Sequence, residues 1–331
     1  MSKNKTKEEI LKYITFNDKV SVNKLSGVLP IKRIMIQRHL HNLIESGELI
    51  KVGIPPKVYY SINKEKTVEK KEYNINSNTI KIIDDNFTLL EPDGVEIEGF
   101  DGFIKWCNDD KRKYDVVNKA DEYIKLLKEY DNFKKDGFIN ASQKLISTFK
   151  IEERFLDELY YLYPYSFPVF GKTKIGQWLF HAKQTQNKKL IKKVLDIVIP
   201  QIENFIKINN IDSLAFVPPT VPRNIQFMKE LGGQIKINLP IVKIEKIKTE
   251  IIIQQKSLKD ISDRIKNAEG TMVIDKENTN YNKMLLLDDF TGSGSTLNIL
   301  ARKIKKQNVA KNVIGLTITG SMNGFEVIRE V

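Results

Sequence analysis

The spacing of apolar positions changes character along the 331 residues. In KTKEEILKYITF, Ile10, Leu11 and Ile14 recur at helical spacing. SVNKLSGVL opens on Ser21, an N-cap residue type, and predicts a short second helix. In LPIKRIMIQRHLHNLIESGELI, Ile36, Leu40, Leu43 and Ile44 fall on one helix face, and Gly47 ends the run as a C′ residue. ELIKV and VYYSI then read as two strands around the turn GIPPK. Residues 64–76 are charged and aperiodic and read as a linker. Residues 77–154 form a mixed, largely helical middle region. Within it TIKIIDD and FTLLEP read as short strands, and YDVVNKADEYIKLLKEYDNF and ASQKLISTF as helices. From 155 to 331 short apolar strands (SLAFVP, MLLLDD, VIGLTIT) alternate with amphipathic helices (KTKIGQWLFHAKQ, NKKLIKKVLDIVIPQIENFIKI, NIQFMKELGG, STLNILARKIKKQ). That alternation predicts an α/β domain with a parallel sheet covered on both faces.

Three helices and a hairpin over residues 1–63 form the pattern of a winged helix-turn-helix domain. With Ile36, Leu40 and Leu43 inward, the third helix presents Ile34, Arg38, His41 and Asn42 outward, with Lys32 and Arg33 at its start. Such a helix suits the DNA major groove, Arg38 or Asn42 reaching base edges and the lysines taking phosphates. Arg38 is similar to the arginine of the R-H-L-x-x-L form seen in bacterial winged-helix recognition helices. Lys51 and Lys57 on the wing are placed for the neighbouring backbone. A winged helix used for protein contact is the competing reading.

Bulk chemistry narrows the choices. The formal net charge of +12 favours a polyanionic partner without bearing on fold. A hydrophobic fraction of 41% allows a sizeable core. One cysteine, Cys107, excludes an internal disulfide and fits a reducing compartment. Three histidines, His39, His41 and His181, leave few parts for a zinc site or a Ser-His-Asp triad. MSKNKTKEEILKYI is polar and partly acidic, unlike a signal or transit peptide, and no apolar run reaches membrane-spanning length. A cytoplasmic protein with no membrane partner is expected. The tyrosines at 160, 161, 163 and 165 read as core or interface, and His181 as a packed or surface histidine.

The stretch MLLLDDFTGSGSTL, residues 284–297, carries the sharpest chemistry. An apolar strand runs into Asp288 and Asp289, then into a small-residue loop that opens a helix. Gly292 and Gly294 are expected to free the backbone so that amides and the helix N-terminus face an anion. Thr291, Ser293, Ser295 and Thr296 are candidate hydroxyl donors. The loop lacks the lysine of a Walker motif, and its acids precede rather than follow it, unlike GxGxxG. Carboxylates at a strand's carboxyl end can accept hydrogen bonds from a sugar diol while the loop holds that sugar's phosphate.

This arrangement resembles the 5-phosphoribosyl-1-pyrophosphate (PRPP) signature of type I phosphoribosyltransferases, most nearly the ComF-type family, over residues 160–320. FVPPTVPRN, residues 216–224, is similar to the family's strand and pyrophosphate loop, implying that role for Pro218, Pro219 and Thr220. QQKSLKDISDRIKNAEG resembles its mobile loop through Gln255, Leu258, Arg264, Asn267 and Gly270, which implies pyrophosphate contacts near Gln255, Arg264 and Asn267. GKTKIGQWLFHAK, residues 171–183, resembles its Gly-to-Lys helix. Two features depart: the cysteine cluster of many ComF proteins is missing, so no zinc is implied, and Gly292 stands where threonine is usual. The resemblance implies catalytic roles for Asp288 and Asp289 and Mg²⁺ arriving with PRPP, with no metal site made by a side-chain cluster alone.

Three functions follow from it. One is a ComF-type phosphoribosyltransferase of DNA metabolism. The second is a PRPP-sensing regulator resembling purine repressors. The third is the effector of a retron-type antiphage system, whose helix-turn-helix would meet DNA or a DNA–RNA hybrid with a reverse transcriptase. This third reading rests on architecture and on the additional region 77–154, and is preferred here. A homodimer is compatible with each.

Overall fold

The computed structural model describes residues 3–63, 73–247, 261–275 and 280–321. The chain divides into two compact units, Met1–Asn74 with Pro92–Val95, and Ile75–Glu91 with Glu96–Val331.

The first unit is built from α1 (Lys3–Asn17), α2 (Val22–Val28), α3 (Arg33–Glu45), β1 (Leu49–Val52) and β2 (Tyr59–Ile62). The Ser21 hydroxyl caps α2 by accepting from the Lys24 amide at 3.3 Å. α3 ends in a Schellman arrangement: Gly47 takes φ 70°, and the Glu48 amide donates to the Leu43 carbonyl at 2.9 Å. β1 and β2 pair antiparallel, and Val20 bridges Tyr60 on the outer side of β2. Ile10, Ile14, Leu25, Ile36, Leu40, Leu43 and Leu49 fill the core, so the apolar stripe read from α3 is the buried one.

The second unit begins with α4 (Ser77–Asn86), β3 (Thr88–Leu90), β4 (Glu96–Glu98), α5 (Gly99–Cys107) and α6 (Val116–Asp131). TIKIIDD, expected as a strand, lies inside α4. The Asn76 side chain caps that helix, accepting from the Asn78 amide at 2.7 Å, and Ile83 turns inward. A capped start outweighs the β-branched composition of the segment. Phe87, Phe103, Trp106, Tyr123 and Phe170 pack edge-on and stacked between these elements.

There follow β5 (Lys134–Lys135), β6 (Phe138–Asn140), α7 (Ser142–Thr148), β7 (Glu158–Pro164), β8 (Ser166–Phe167), β9 (Gly171–Lys172), α8 (Lys174–Thr185), α9 (Lys188–Ile208) and β10 (Ser213–Phe216). The chain continues through α10 (Phe227–Gln234), β11 (Ile244–Lys246), α11 (Ile261–Thr271), β12 (Met272–Ile274), β13 (Tyr281–Thr291), α12 (Ser295–Lys306) and β14 (Ala310–Gly320). The central sheet has the order β10-β13-β14-β7-β6-β5. The first four strands are parallel, as the alternating pattern predicts, while β6 and β5 add antiparallel. These two edge strands come from the middle region. They give β7 a hydrogen-bonding partner, with Ile139 opposite Tyr161, where its edge would otherwise be open.

Alternate residues of each parallel strand enter two cores. Leu285 and Leu287 of β13 and Tyr160 of β7 join α8, α9 and α10. Met284 and Leu286 of β13 and Tyr161 of β7 join α7, α12 and the β11–β12 pair. Tyr160, Tyr161 and Tyr165 are thus core residues. Two aspartates fix the strand starts: Asp212 accepts from the Asn282 and Lys283 amides, and Asp157 from the Val313 amide. Buried Asn298 ties α12 to the segment before β7. Its Oδ1 accepts from the Phe155 and Leu156 amides at 2.8 and 3.0 Å, and its Nδ2 donates to the Glu153 carbonyl at 2.7 Å. Among the described residues no helix is long and apolar enough to cross a membrane.

Asn298→Ala removes the acceptor for two amides in the interior and is expected to cost about 2–4 kcal/mol of stability. Chemical denaturation of the full chain checks this, and a loss within experimental error would show that the Asn298 bonds do not hold α12.

Candidate functional site

The strand that carries the acids runs further than its apolar part. β13 continues in register through Asp288 opposite Thr317, Phe290 opposite Thr319 and Thr291 opposite Gly320. Asp288 and Asp289 therefore lie inside the last turn of pairing rather than beyond it, and successive side chains leave a strand on opposite faces. Asp289 faces α8, where the Lys183 ammonium meets its Oδ2 at 2.5 Å; the two side chains are 15% and 17% exposed. Asp288 accepts from the Asp289 amide at 2.7 Å through Oδ1. The Thr319 hydroxyl donates to the Asp289 carbonyl at 3.3 Å.

Only three residues, Gly292 to Gly294, connect β13 to α12. Gly294 takes φ 79° at the N-cap of α12. A Cβ on it would stand 3.1 Å from the Leu145 side chain of α7. Gly292 lies outside the left-handed region, and a Cβ there meets nothing nearer than Phe290 at 3.7 Å. The expectation that both glycines are needed for their backbone angles thus holds for Gly294 alone. Ser293 and Ser295 are buried with their hydroxyl oxygens 2.6 Å apart, so they are turned to each other; Thr291 is buried and Thr296 half-buried. What remains for an anion is the start of α12, where the helix dipole favours negative charge, although the Ser295 amide already donates to the Ser293 hydroxyl at 3.4 Å.

The β10 loop reaches the same end of the sheet. The Val217 amide donates to the Leu287 carbonyl at 2.9 Å, so Pro218, Pro219 and Thr220 start beside Asp288 and Asp289. Arg264 and Asn267 belong to helix α11, and Gln255 lies outside the described residues. The C-terminal end of α11 packs near the last turn of α12, where Lys303 donates to the Glu269 carbonyl at 2.7 Å. That is about 12 Å along the helix axis from Ser295. Lys32, Arg33, Arg38, His41, Asn42, Lys51 and Lys57 are all exposed on the first unit. Arg33 donates to the Asn23 side chain at 2.5 Å, and His41 stands 3.3 Å from Glu45.

Two side chains absent from the sequence-based site enter it here. Lys183 is the last residue of the 171–183 segment, and Arg223 is the last but one of FVPPTVPRN. Together with Tyr165, Leu179, Phe180 and Phe290 they line a cleft beside Asp289. α8 is held there by its N-terminus. The Thr173 hydroxyl caps it, accepting from the Gly176 amide at 3.1 Å, and a Cβ on Gly176 would fall 2.2 Å from the Tyr165 carbonyl. Burial, and then Lys172, hold the neighbouring His181 imidazole below its usual range, so His181 stays neutral near neutral pH.

Among the described residues no group of three or more His, Cys, Asp or Glu gathers to hold a metal. Mg²⁺ needs no such cage: it keeps waters and takes one or two carboxylates together with substrate phosphates. The oxygen donors of Asp288 and Asp289 fit that demand. Gly294→Ala is expected to lower stability by about 1–2 kcal/mol, the cost of a side chain in the left-handed region. Gly292→Ala should leave the thermal midpoint nearly unchanged. Thermal melts of both variants check the contrast, and equal shifts would refute it.

No family model matches this chain, and no curated protein matches it. Among solved structures it is similar to a hypoxanthine phosphoribosyltransferase from Staphylococcus aureus, at 12% identity and a TM-score of 0.24, over 40% of this chain and 68% of that one.

Proposed function

We propose that the second unit binds PRPP and transfers its phosphoribosyl group, and that the first unit is a winged helix-turn-helix that binds DNA. The observation that carries the first claim is the placement of Asp288 and Asp289 near the end of a central parallel strand that a three-residue loop joins to a helix N-terminus. On this reading the start of α12 holds the 5-phosphate, with Thr296 beside it. Asp288 and Asp289 accept hydrogen bonds from the ribose hydroxyls. The loop at Pro218, Pro219 and Thr220 lies along the pyrophosphate. An acceptor attacks C1 as the bond from C1 to the pyrophosphate oxygen breaks, and pyrophosphate leaves with that electron pair. Bound Mg²⁺ would neutralise charge building on the leaving group. The protein's own part is positioning and fixed charge.

The Lys183–Asp289 pair has a part in this cycle. It keeps the carboxylate compensated in a half-buried setting. Ribose hydroxyls then compete with Lys183 for the same oxygens.

On the first unit, the exposed Arg38, His41 and Asn42 of α3 are the proposed base readers, and Lys32, Arg33, Lys51 and Lys57 the phosphate contacts. A DNA reader joined to a PRPP site also supports a regulator that senses PRPP without turnover. On architecture alone, we further propose the retron-type effector role, with a reverse transcriptase as partner; co-purification of the two proteins tests it.

Magnesium-dependent release of pyrophosphate from PRPP, in a metabolite extract, tests the transferase. It is expected in the wild type and should fall on the order of 100-fold in Asp288→Asn/Asp289→Asn. PRPP binding without release would favour the sensor, and an absence of binding would refute the PRPP site. For the first unit, Arg38→Ala is expected to weaken duplex binding about tenfold in fluorescence anisotropy. Unchanged affinity would remove α3 from the DNA interface.

A further inference from the structure

Residues of the middle region and of the sheet domain enclose a cavity of about 190 Å³ at the N-terminal end of α8. Its walls are mostly apolar. Tyr123 of α6, Tyr163 of β7, Phe167 of β8 and Trp178 of α8 supply four aromatic rings. Leu127, Pro164, Ile175 and Ile197 supply aliphatic surface. The polar groups of the lining are largely satisfied by the protein itself. The Tyr123 hydroxyl donates to the Asn86 carbonyl at 2.9 Å, and the Thr173 hydroxyl to the Pro164 carbonyl at 2.7 Å. The Lys174 ammonium pairs with Glu98 at 2.9 Å and donates to the Asp84 carbonyl at 3.2 Å. The Trp178 indole donates to Glu96, the Tyr163 hydroxyl accepts from Gln201, and the Asn86 side chain donates to the Ile82 carbonyl at 2.9 Å. Asp85 is the exception. It is exposed at the rim, in the last turn of α4, and its carboxylate has no hydrogen-bond or ion-pair partner among the described residues. The helix dipole opposes a negative charge in that turn. Asp84 shares the turn but accepts from the Phe100 amide at 2.7 Å, so folding accounts for Asp84 and not for Asp85.

We propose that this cavity binds a small planar ring carrying an amidine-type N–H edge, with the ring among the aromatic walls and the edge on Asp85. An apolar cavity of roughly 150 Å³ is enough to hold benzene, so the space here takes a single substituted ring. Aromatic walls desolvate such a ring and meet it through offset or edge contacts. The donor edge belongs at the rim rather than inside. The Lys193 and Lys174 ammonium groups already lie 3.8 and 5.2 Å from the centre of the Trp178 ring, and they repel a cation pushed between the walls. An amidine presents two parallel N–H groups, the pattern that a carboxylate accepts through both of its oxygens. The cavity is separate from the proposed transfer site. None of that site's residues lines it, and Lys174 stands nine residues before Lys183 on α8, about 13 Å along the helix axis. The inference therefore does not rest on the PRPP reading above.

The test is ligand-observed NMR titration of the full chain with benzamidine, which has both ring and amidine. Benzoate, which reverses the charge, and acetamidine, which lacks the ring, are the controls. Benzamidine is expected to bind saturably, with both controls at least about tenfold weaker. Asp85→Asn should weaken benzamidine about three- to tenfold without lowering the thermal midpoint, because the charge it removes opposes the α4 dipole. Leu127→Phe fills the cavity without touching Asp85 and should weaken benzamidine at least about tenfold, with a thermal melt to show that the variant is folded. No saturable benzamidine binding up to about 10 mM would overturn the proposal. So would benzoate or acetamidine binding as well as benzamidine, or an affinity unchanged in Asp85→Asn. The same titrations are repeated with PRPP present and in Asp288→Asn/Asp289→Asn, where benzamidine affinity is expected to stay unchanged. Displacement by PRPP would put the ring in the transfer site and overturn the separate cavity. Benzamidine binding through Asp85 in a chain that binds no PRPP would support this inference and sink the transferase reading.

Discussion

A parallel strand buried on both faces meets water at its end. β13 lies between β10 and β14 with helices over both of its surfaces, and Met284 to Leu287 are all buried. Polar residues on this strand are therefore confined to its two ends, and at the carboxyl end each side chain is committed to one face by the period of the strand. Asp289 is sent to the side of α8 and Asp288 to the other. The pair is thus two differently placed groups rather than one doubled charge. Lys183 compensates the first, and the Asp289 amide donates to the second.

The remaining architecture sets what stands around that end. α8 is brought close to the strand ends because Gly176 lets the Tyr165 carbonyl pass where a side chain would block it. The same helix is braced from the region before the sheet. Glu98 pairs with Lys174 and Lys193, Lys193 reaches Glu96 and lies 3.8 Å from the Trp178 ring centre, and the Trp178 indole donates to Glu96. Single exposed pairs contribute little, but these share partners across β4, α8 and α9 and so constrain geometry more than stability. The charge partners Lys174 and Lys193 hold the Glu98 carboxyl below its ordinary range, against the opposing effect of burial. On the other face, α7 packs Leu145 behind Gly294 and Asn298 fixes the axis of α12. Residues 77–154, which carry no phosphate chemistry of their own, thereby shape both flanks of the site.

What the sequence reveals follows from how local each cause is. The helices of the first unit, the cap at Ser21 and the stop at Gly47 are set within a few residues, and pattern alone reads them. The parallel strands are legible because burial on both faces leaves continuous apolar runs. TIKIIDD is misread because β-branched residues suggest a strand, while a single asparagine at position 76 selects the helix. The strand extension through Thr291 is also hidden, since polar residues stay in register only through Thr317 and Thr319 of β14. Lys183 and Arg223 stand in segments that do carry a signal. Their convergence on Asp289 and on one cleft depends on α8 and the β10 loop meeting at the sheet's end, a contact between residues up to about a hundred positions apart that no periodicity encodes.

Exposure separates the two units' use of charge. The basic groups of the first unit stand in water, where salt weakens them over a Debye length of about 8 Å at physiological ionic strength. A partner held by them is held through counterion release and is lost steeply as salt rises. Lys183 and Asp289 are mostly shielded from solvent and screened less. The net charge of +12 is thus not one property with one purpose. Its exposed part is open to screening by salt, and its shielded part compensates a carboxylate at the sheet's end.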